Sequence, residues 1–159
     1  MKTRIGYGQV EPNHLSAQRN GQIYAQLPMA EALDVLENGM FAKYDMVAGN
    51  VNVTSADGEW LLVYNEVKVY DTLHESTKDF AMKKGGTPRL FATHVGDIFT
   101  TNMTSDWDSV TYVGGEYLTV TAGKLVKASS KPETGMAWKV VKVYTMPDGQ
   151  DGIKIQRVQ

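Results

Sequence analysis

The sequence predicts an all-β fold, a small barrel or sandwich of short antiparallel strands preceded by an extended N-terminal arm. Apolar and polar residues alternate in segments rich in Val, Tyr, Trp and Leu, and "EWLLVYNEVKVYD" (59–71) is an example. Turns that contain glycine separate these segments at short intervals, as is typical of small barrels and sandwiches. The opening "MKTRIGYGQVEPNHLSAQRNGQIYAQLP" has no clear helical or strand period, which predicts the arm.

Length and composition place the chain among ordinary globular proteins. Its 159 residues suit one domain, and a chain of this size buries roughly 70% of its unfolded surface, so it needs no metal or disulfide for stability. We therefore expect an arm over residues 1–28 and a single β-rich domain over 29–159.

A net charge of -2 argues against general binding to nucleic acid or anionic membranes. No signal-peptide pattern and no apolar run near the ~20 residues of a membrane span are present, which predicts a soluble protein.

Strands are predicted along most of the domain. The stretch 29–36 stays open between a short helix and a strand, because Met29, Leu33 and Leu36 have helical spacing, whereas Asn38-Gly39 could either end a helix or form a hairpin turn. The remaining predicted strands lie in 40–47, 59–71, 89–102 (two strands around Val95-Gly96-Asp97), 116–129 (two strands around Ala122-Gly123), and 137–146 with 152–158 (a hairpin through a turn-rich connector).

A short pattern, Gly-Glu-aromatic-Leu, occurs twice, at 58–61 and 115–118. Glycine permits a tight turn or bulge at the entry to a strand, and we expect the aromatic residue that follows to pack into the core. The same reasoning places Trp60 and Trp138 in the core.

The sequence offers no catalytic constellation. Gly6-x-Gly8 lacks the strand, third glycine and helix of a dinucleotide-binding motif, and the three histidines lack metal-ligand spacing. His94 and Asp97 are interpreted as forming a surface hydrogen bond at a strand end. Carboxylates near turns, such as those of 148–151, fit no calcium loop. We therefore expect no enzyme activity, no cofactor and no metal.

Trp107 is the candidate for an exposed contact. It lies between Asp106 and Asp108 in a polar loop, and these acids disfavour nucleic acid as its partner. Exposure of Trp107 and Tyr112 in this loop would favour a module that binds host glycans.

Four segments carry a resemblance to a known group of proteins: "GYGQVEPNHLSAQRNGQIYAQLP", "GEWLLVYNEVKVY", "VGDIFTTN" and "WKVVKVYTMPDGQDGIKIQRV". Together they resemble small β-rich virion proteins of tailed bacteriophages, most closely the auxiliary or decoration-type capsid proteins. The resemblance implies a non-enzymatic capsid component on the virion surface, made in the host cytoplasm. Its implied partners are the major capsid protein and neighbouring copies of the chain, and a homo-oligomer stays open. The resemblance implies no binding to nucleic acid or membrane.

The arm supplies most of the expected partner-binding residues. Its scattered apolar side chains would anchor it on a neighbour, while its Gln and Asn side chains supply hydrogen bonds. With the loop residue, the expected partner-binding set is Ile5, Tyr7, Val10, Leu15, Ile23, Tyr24 and Trp107. Packing of the arm on its own domain is the alternative. A tail or head-vertex component, a glycan-binding module and a phage hydrolase are the alternative functions.

Overall fold

A computed structural model describes residues 2–15, 26–54, 58–66 and 80–159. Within these ranges every regular element is a strand, and the all-β prediction is confirmed. The strands are β1 Val10–His14, β2 Val35–Leu36, β3 Phe41–Asp45, β4 Asn50–Asn52, β5 Leu61–Val63, β6 Met82–Lys83, β7 Leu90–Phe91, β8 Ile98–Thr101, β9 Tyr117–Thr121, β10 Lys124–Ala128, β11 Ala137–Thr145 and β12 Asp151–Arg157. Over the described residues, no helical segment has the length and apolar character needed to cross a membrane.

The strands form three antiparallel sheets. The largest has six strands in the order β1-β8-β12-β11-β9-β10, the second has four in the order β4-β3-β5-β7, and β2 pairs with β6 alone. β9 and β10 form the expected hairpin around Ala122-Gly123, and β11 and β12 form the expected hairpin near the C-terminus. A bulge at Val141 shifts the β11–β12 register.

Other strand predictions are confirmed with changes. β3 confirms the strand within 40–47. β7 and β8 confirm two strands in 89–102, but they belong to different sheets. The open stretch 29–36 contains the two-residue strand β2 and a single bridge from Met29 to Val51 instead of a helix. In the stretch 59–71 the described strand is β5, and residues 67–71 lie outside the described ranges.

The main core lies between the six-stranded and four-stranded sheets. Phe41 of β3 packs against Phe99 and Trp138, with the ring centroid of Trp138 5.8 Å from Phe41 and 5.0 Å from Phe99. Trp138 is fully buried, as predicted, whereas Trp60 is half-buried at the rim with the Lys43 Nζ 4.7 Å from its ring centroid.

The four-stranded sheet is covered on both faces. Phe41 and Leu62 face the main core, whereas the neighbouring Ala42, Leu61 and Val63 face a second cluster with Leu36 and Met103. Coverage on both faces explains why Leu61-Leu62-Val63 is a continuous apolar run instead of an alternating one.

The repeated Gly-Glu-aromatic-Leu pattern is partly corrected. Both glycines adopt positive φ angles, +82° at Gly58 and +96° at Gly115, as tight turns require. The buried residue of each pattern is its leucine, however, and the aromatic residues Trp60 and Tyr117 are half-buried. Successive side chains of a strand point to opposite faces, so the leucine that faces the core leaves the aromatic residue before it at the surface.

The described part of the arm belongs to the domain. β1 is the outer strand of the six-stranded sheet among the described strands, and Val10 pairs with Thr101 of β8. The strand contains Pro12, and its register shifts between Glu11 and His14. The expected division at residue 28 is therefore corrected for residues 2–15, because they extend the domain's own sheet and cover its core.

Candidate functional site: the docked arm and the Lys2 slot

Two buried amide side chains of the domain hold the main chain of the arm. The N–H of Ile5 donates to Gln150 Oε1 at 2.7 Å, and the N–H of Gln9 donates to Asn102 Oδ1 at 3.0 Å. Asn102 Nδ2 donates in turn to Gln150 Oε1 at 3.2 Å, and both amide side chains are buried. An arm without regular structure has main-chain donors that need partners, and the domain provides them here.

Carboxylates of the domain fix the arm at two further points. Glu37 Oε2 accepts the N–H of Gly8 at 2.6 Å and pairs with the Arg4 guanidinium at 2.5 Å. Asp151 Oδ2 accepts the N–H of Thr3 at 2.9 Å, while the Asp151 N–H donates to the Thr3 carbonyl at 2.8 Å. The hydrogen bond from Thr3 is the main cause that lowers the pKa of Asp151 below its ordinary value.

A polar network fixes β1 on the outer face of the sheet. Thr100 Oγ1 donates to Asn13 Oδ1 at 2.6 Å, and Asn13 Nδ2 donates to Glu11 Oε1 at 2.9 Å. The Tyr144 hydroxyl donates to Glu11 and lies 2.9 Å from Thr100 Oγ1. Burial, followed by the bond to Glu11, raises the pKa of Tyr144.

The predicted partner-binding residues of the arm have different positions. Leu15 is buried in the main core, Val10 packs against the same core, and the Tyr7 hydroxyl accepts a hydrogen bond of 3.0 Å from Lys83 Nζ. Ile5 is 48% exposed and is the most accessible of these four. Ile23 and Tyr24 lie outside the described residues. Buried Leu15 is thus corrected from a partner contact to a core residue, while a partner role for Ile5 stays a prediction.

The side chain of Lys2 enters a slot formed by the loop that follows β8. Its Nζ lies 4.5 Å from the ring centroid of Trp107 and 4.5 Å from that of Tyr112. It donates to the carbonyl oxygen of Trp107 at 3.3 Å and to the carbonyl of Val110. The two rings are stacked, with centroids 6.2 Å apart and planes 21° apart. We call these two rings and two carbonyls the Lys2 slot.

The expectation that Trp107 is exposed is wrong. Its side chain is 3% exposed and belongs to the main core cluster together with Tyr112. The loop turns back on itself at 106–110, where the N–H groups of Ser109 and Val110 donate to the Asp106 carbonyl. Both aromatic rings therefore face inward while Asp108 is exposed, a distribution that the position of Trp107 between two acids did not predict.

The electrostatics of the Lys2 slot follow from burial next to acids. Desolvation lowers the pKa of Lys2, and the carboxylates of Asp106, Asp108 and Asp151 oppose this shift. The pKa of Tyr112 is raised, first by burial and then by the hydrogen bond that its hydroxyl donates to Asp106. With Lys2 in place, the arrangement holds an ammonium group.

The pair His94 and Asp97 was also singled out in the sequence. The His94 N–H donates to Asp97 Oδ2, and the Asp97 N–H donates to the His94 carbonyl, each at 2.9 Å. The interpretation of this pair as a hydrogen bond at a strand end is confirmed, with the His94 main chain as donor and Asp97 buried instead of at the surface. In the described part of the chain, no three His or acidic residues cluster in a way that could hold a metal ion.

An apolar hairpin tip joins β3 and β4. Met46 is 69% exposed and Val47 is 102% exposed. Asp45 Oδ1 accepts the N–H groups of Val47 and Ala48 at 3.1 and 2.8 Å, which fixes the conformation of the tip. The sequence did not predict this feature, because Met46 and Val47 continue a predicted strand and only the following Ala48-Gly49-Asn50 indicates a turn.

No protein-family model, curated protein or solved structure matches the chain.

Proposed function

We propose that the chain is a non-enzymatic structural protein of a tailed-bacteriophage virion. In this role it binds the capsid surface as an auxiliary or decoration-type protein, with the major capsid protein and neighbouring copies of itself as partners. The resemblance of its segments to such proteins suggests the class, and an all-β body in which an extended arm is fixed by main-chain hydrogen bonds is suited to a binding module.

The hairpin tip of Met46 and Val47 is the observation that carries this proposal. Exposed apolar side chains gain free energy when a partner buries them, and here two adjacent ones project from the end of a hairpin. Because Asp45 already holds the tip in one conformation, a partner that binds it has little conformational entropy to offset.

Two alternative functions, a tail or head-vertex component and a glycan-binding module, predict different observations. A tail or head-vertex component would use the same surfaces with fewer copies per particle. A glycan-binding module depended on exposure of Trp107 and Tyr112, and both are buried, so the observation that favoured it is gone.

Mass spectrometry of purified virions tests the location of the protein. A copy number comparable with that of the major capsid protein is expected, a few copies would indicate the tail or a vertex, and absence from the particle would overturn the proposal.

Binding of the purified protein to capsids tests the surface. The double variant Met46→Ser/Val47→Ser should fold as the parent does and bind capsids more weakly, because it changes only exposed side chains. Val95→Ser is the matched control, since Val95 is 68% exposed in the turn before β8. Equal loss of binding in both variants, or no loss in the tip variant, would remove the tip from the proposed interface.

A further inference from the structure

The Lys2 slot has the chemistry of an ammonium-binding site. Aromatic ring faces attract cations, and those of Trp107 and Tyr112 both lie 4.5 Å from the Lys2 nitrogen. The carbonyls of Trp107 and Val110 accept N–H bonds, and the carboxylates of Asp106 and Asp108 add negative charge nearby. All of these groups except Lys2 belong to a single loop, so the loop itself supplies the site.

We propose that the Lys2 slot is a binding site for a primary alkylammonium group and that Lys2 is its intramolecular occupant. A lysine side chain of another polypeptide presents the same chemistry and would compete with Lys2 for the slot. This inference uses no contact with a capsid and therefore stands or falls independently of the proposed virion role.

The two carbonyls predict selectivity among ammonium ligands. A primary ammonium has three N–H donors and satisfies both carbonyls, whereas a trimethylated ammonium keeps the positive charge but has no N–H to donate. A neutral alcohol of the same length has one donor and no charge. We therefore expect the slot to prefer a primary ammonium over either analogue by about tenfold or more, since hydrogen bonds to charged groups are the stronger ones.

The test uses the full-length chain with the Lys2 side chain removed. Lys2→Ala opens the slot while Thr3 and Ile5 keep their hydrogen bonds to the domain, and n-butylammonium, which reproduces the lysine side chain, is added. The indole N–H resonance of Trp107 in an NMR titration reports binding, because this N–H is buried without a hydrogen-bond partner among the described residues. The indole N–H of Trp138, buried in the middle of the core, is the internal reference.

The expected result is a saturable shift of the Trp107 resonance with n-butylammonium and an unchanged Trp138 resonance. Butyltrimethylammonium and 1-butanol should each bind more weakly by a factor of about ten or more. The parent chain and Lys2→Met, in which a side chain fills the slot, should need a much higher ligand concentration for the same shift. Equal responses to all three ligands, or a response in the parent equal to that of Lys2→Ala, would overturn the proposal.

Chemical modification of the parent chain provides a second measurement that needs no variant. Reductive methylation should reach Lys2 more slowly than Lys139, which is exposed on β11, because the rings and the two carbonyl hydrogen bonds block the Lys2 nitrogen by more than its lowered pKa assists the reaction. Modification of both at the same rate would show that the slot does not retain Lys2, and would overturn the assignment even if Lys2→Ala failed to fold.

Discussion

Replacing Gln150 by alanine should both destabilise the fold and release the arm. Its Oε1 accepts hydrogen bonds from the Ile5 N–H and from Asn102 Nδ2, and the side chain is fully buried. A donor left without a partner costs about 1–3 kcal/mol, so Gln150→Ala should lower the free energy of unfolding by about 2–5 kcal/mol, allowing for water that reaches Ile5. Urea denaturation measures this loss, and hydrogen exchange at the Ile5 amide should show lower protection.

Gln156→Ala is the matched control for this change. Gln156 lies on the same strand, β12, is half-buried, and makes no side-chain hydrogen bond to the described residues. Its replacement should change the free energy of unfolding by no more than about 0.5 kcal/mol. If Gln150→Ala and Gln156→Ala had equal stability, or if the Ile5 amide kept its protection in Gln150→Ala, the buried amide pair would not be what holds the arm.

Two further predictions concern steric strain at glycines and the pH dependence of the docked arm. Gly149 has φ +84° with open space around a new Cβ, so Gly149→Ala should cost about 1–2 kcal/mol of stability. Gly39 has φ +91° with Thr101 Oγ1 2.4 Å from a new Cβ, so Gly39→Ala should cost about 1–3 kcal/mol more. Equal losses on thermal or urea unfolding would contradict the steric argument. Because the folded-state pKa of Asp151 lies below its ordinary value of 3.8, its carboxylate stabilises the docked arm above about pH 3.8, and this stabilisation is lost as the pH falls through the folded pKa. The Thr3 amide should then lose exchange protection in acid, with a weaker pH dependence in Asp151→Asn; the same profile in both proteins would assign the transition to other groups.

Local patterns predicted the strands but not their partners. The hairpins β9–β10 and β11–β12 follow from alternation and turn residues, because each is formed by neighbours in the sequence. The assignment of β7 and β8 to different sheets depends on long-range pairing, which no local pattern encodes. The same limit explains why the pairing of β1 was not predicted, since its partner β8 lies more than eighty residues away.

The candidate site was predicted even less completely, for a physical reason. The sequence predicts hydrogen bonds from Gln and Asn side chains within the arm, whereas in the structure Asn102 and Gln150 of the domain bind the main chain of the arm. Asn102 follows directly after β8 and Gln150 lies in the turn-rich connector before β12, and neither position indicates in the sequence that the side chain is buried. Trp107 shows the complementary error, because acids beside an aromatic residue in the sequence do not reveal which side of the loop faces the core.

The two outer strands of the six-stranded sheet limit how copies of the protein can associate. Pro12 on β1 has no N–H to offer an incoming strand, and the register shift beside it interrupts the regular spacing of the remaining main-chain groups. On the opposite side, the main chain of β10 is already in use, because Leu125 forms a bridge with Thr104 and its carbonyl accepts the Ser105 N–H at 3.0 Å. Open-ended polymerisation by sheet extension is therefore disfavoured at both sides of the sheet that the described strands form.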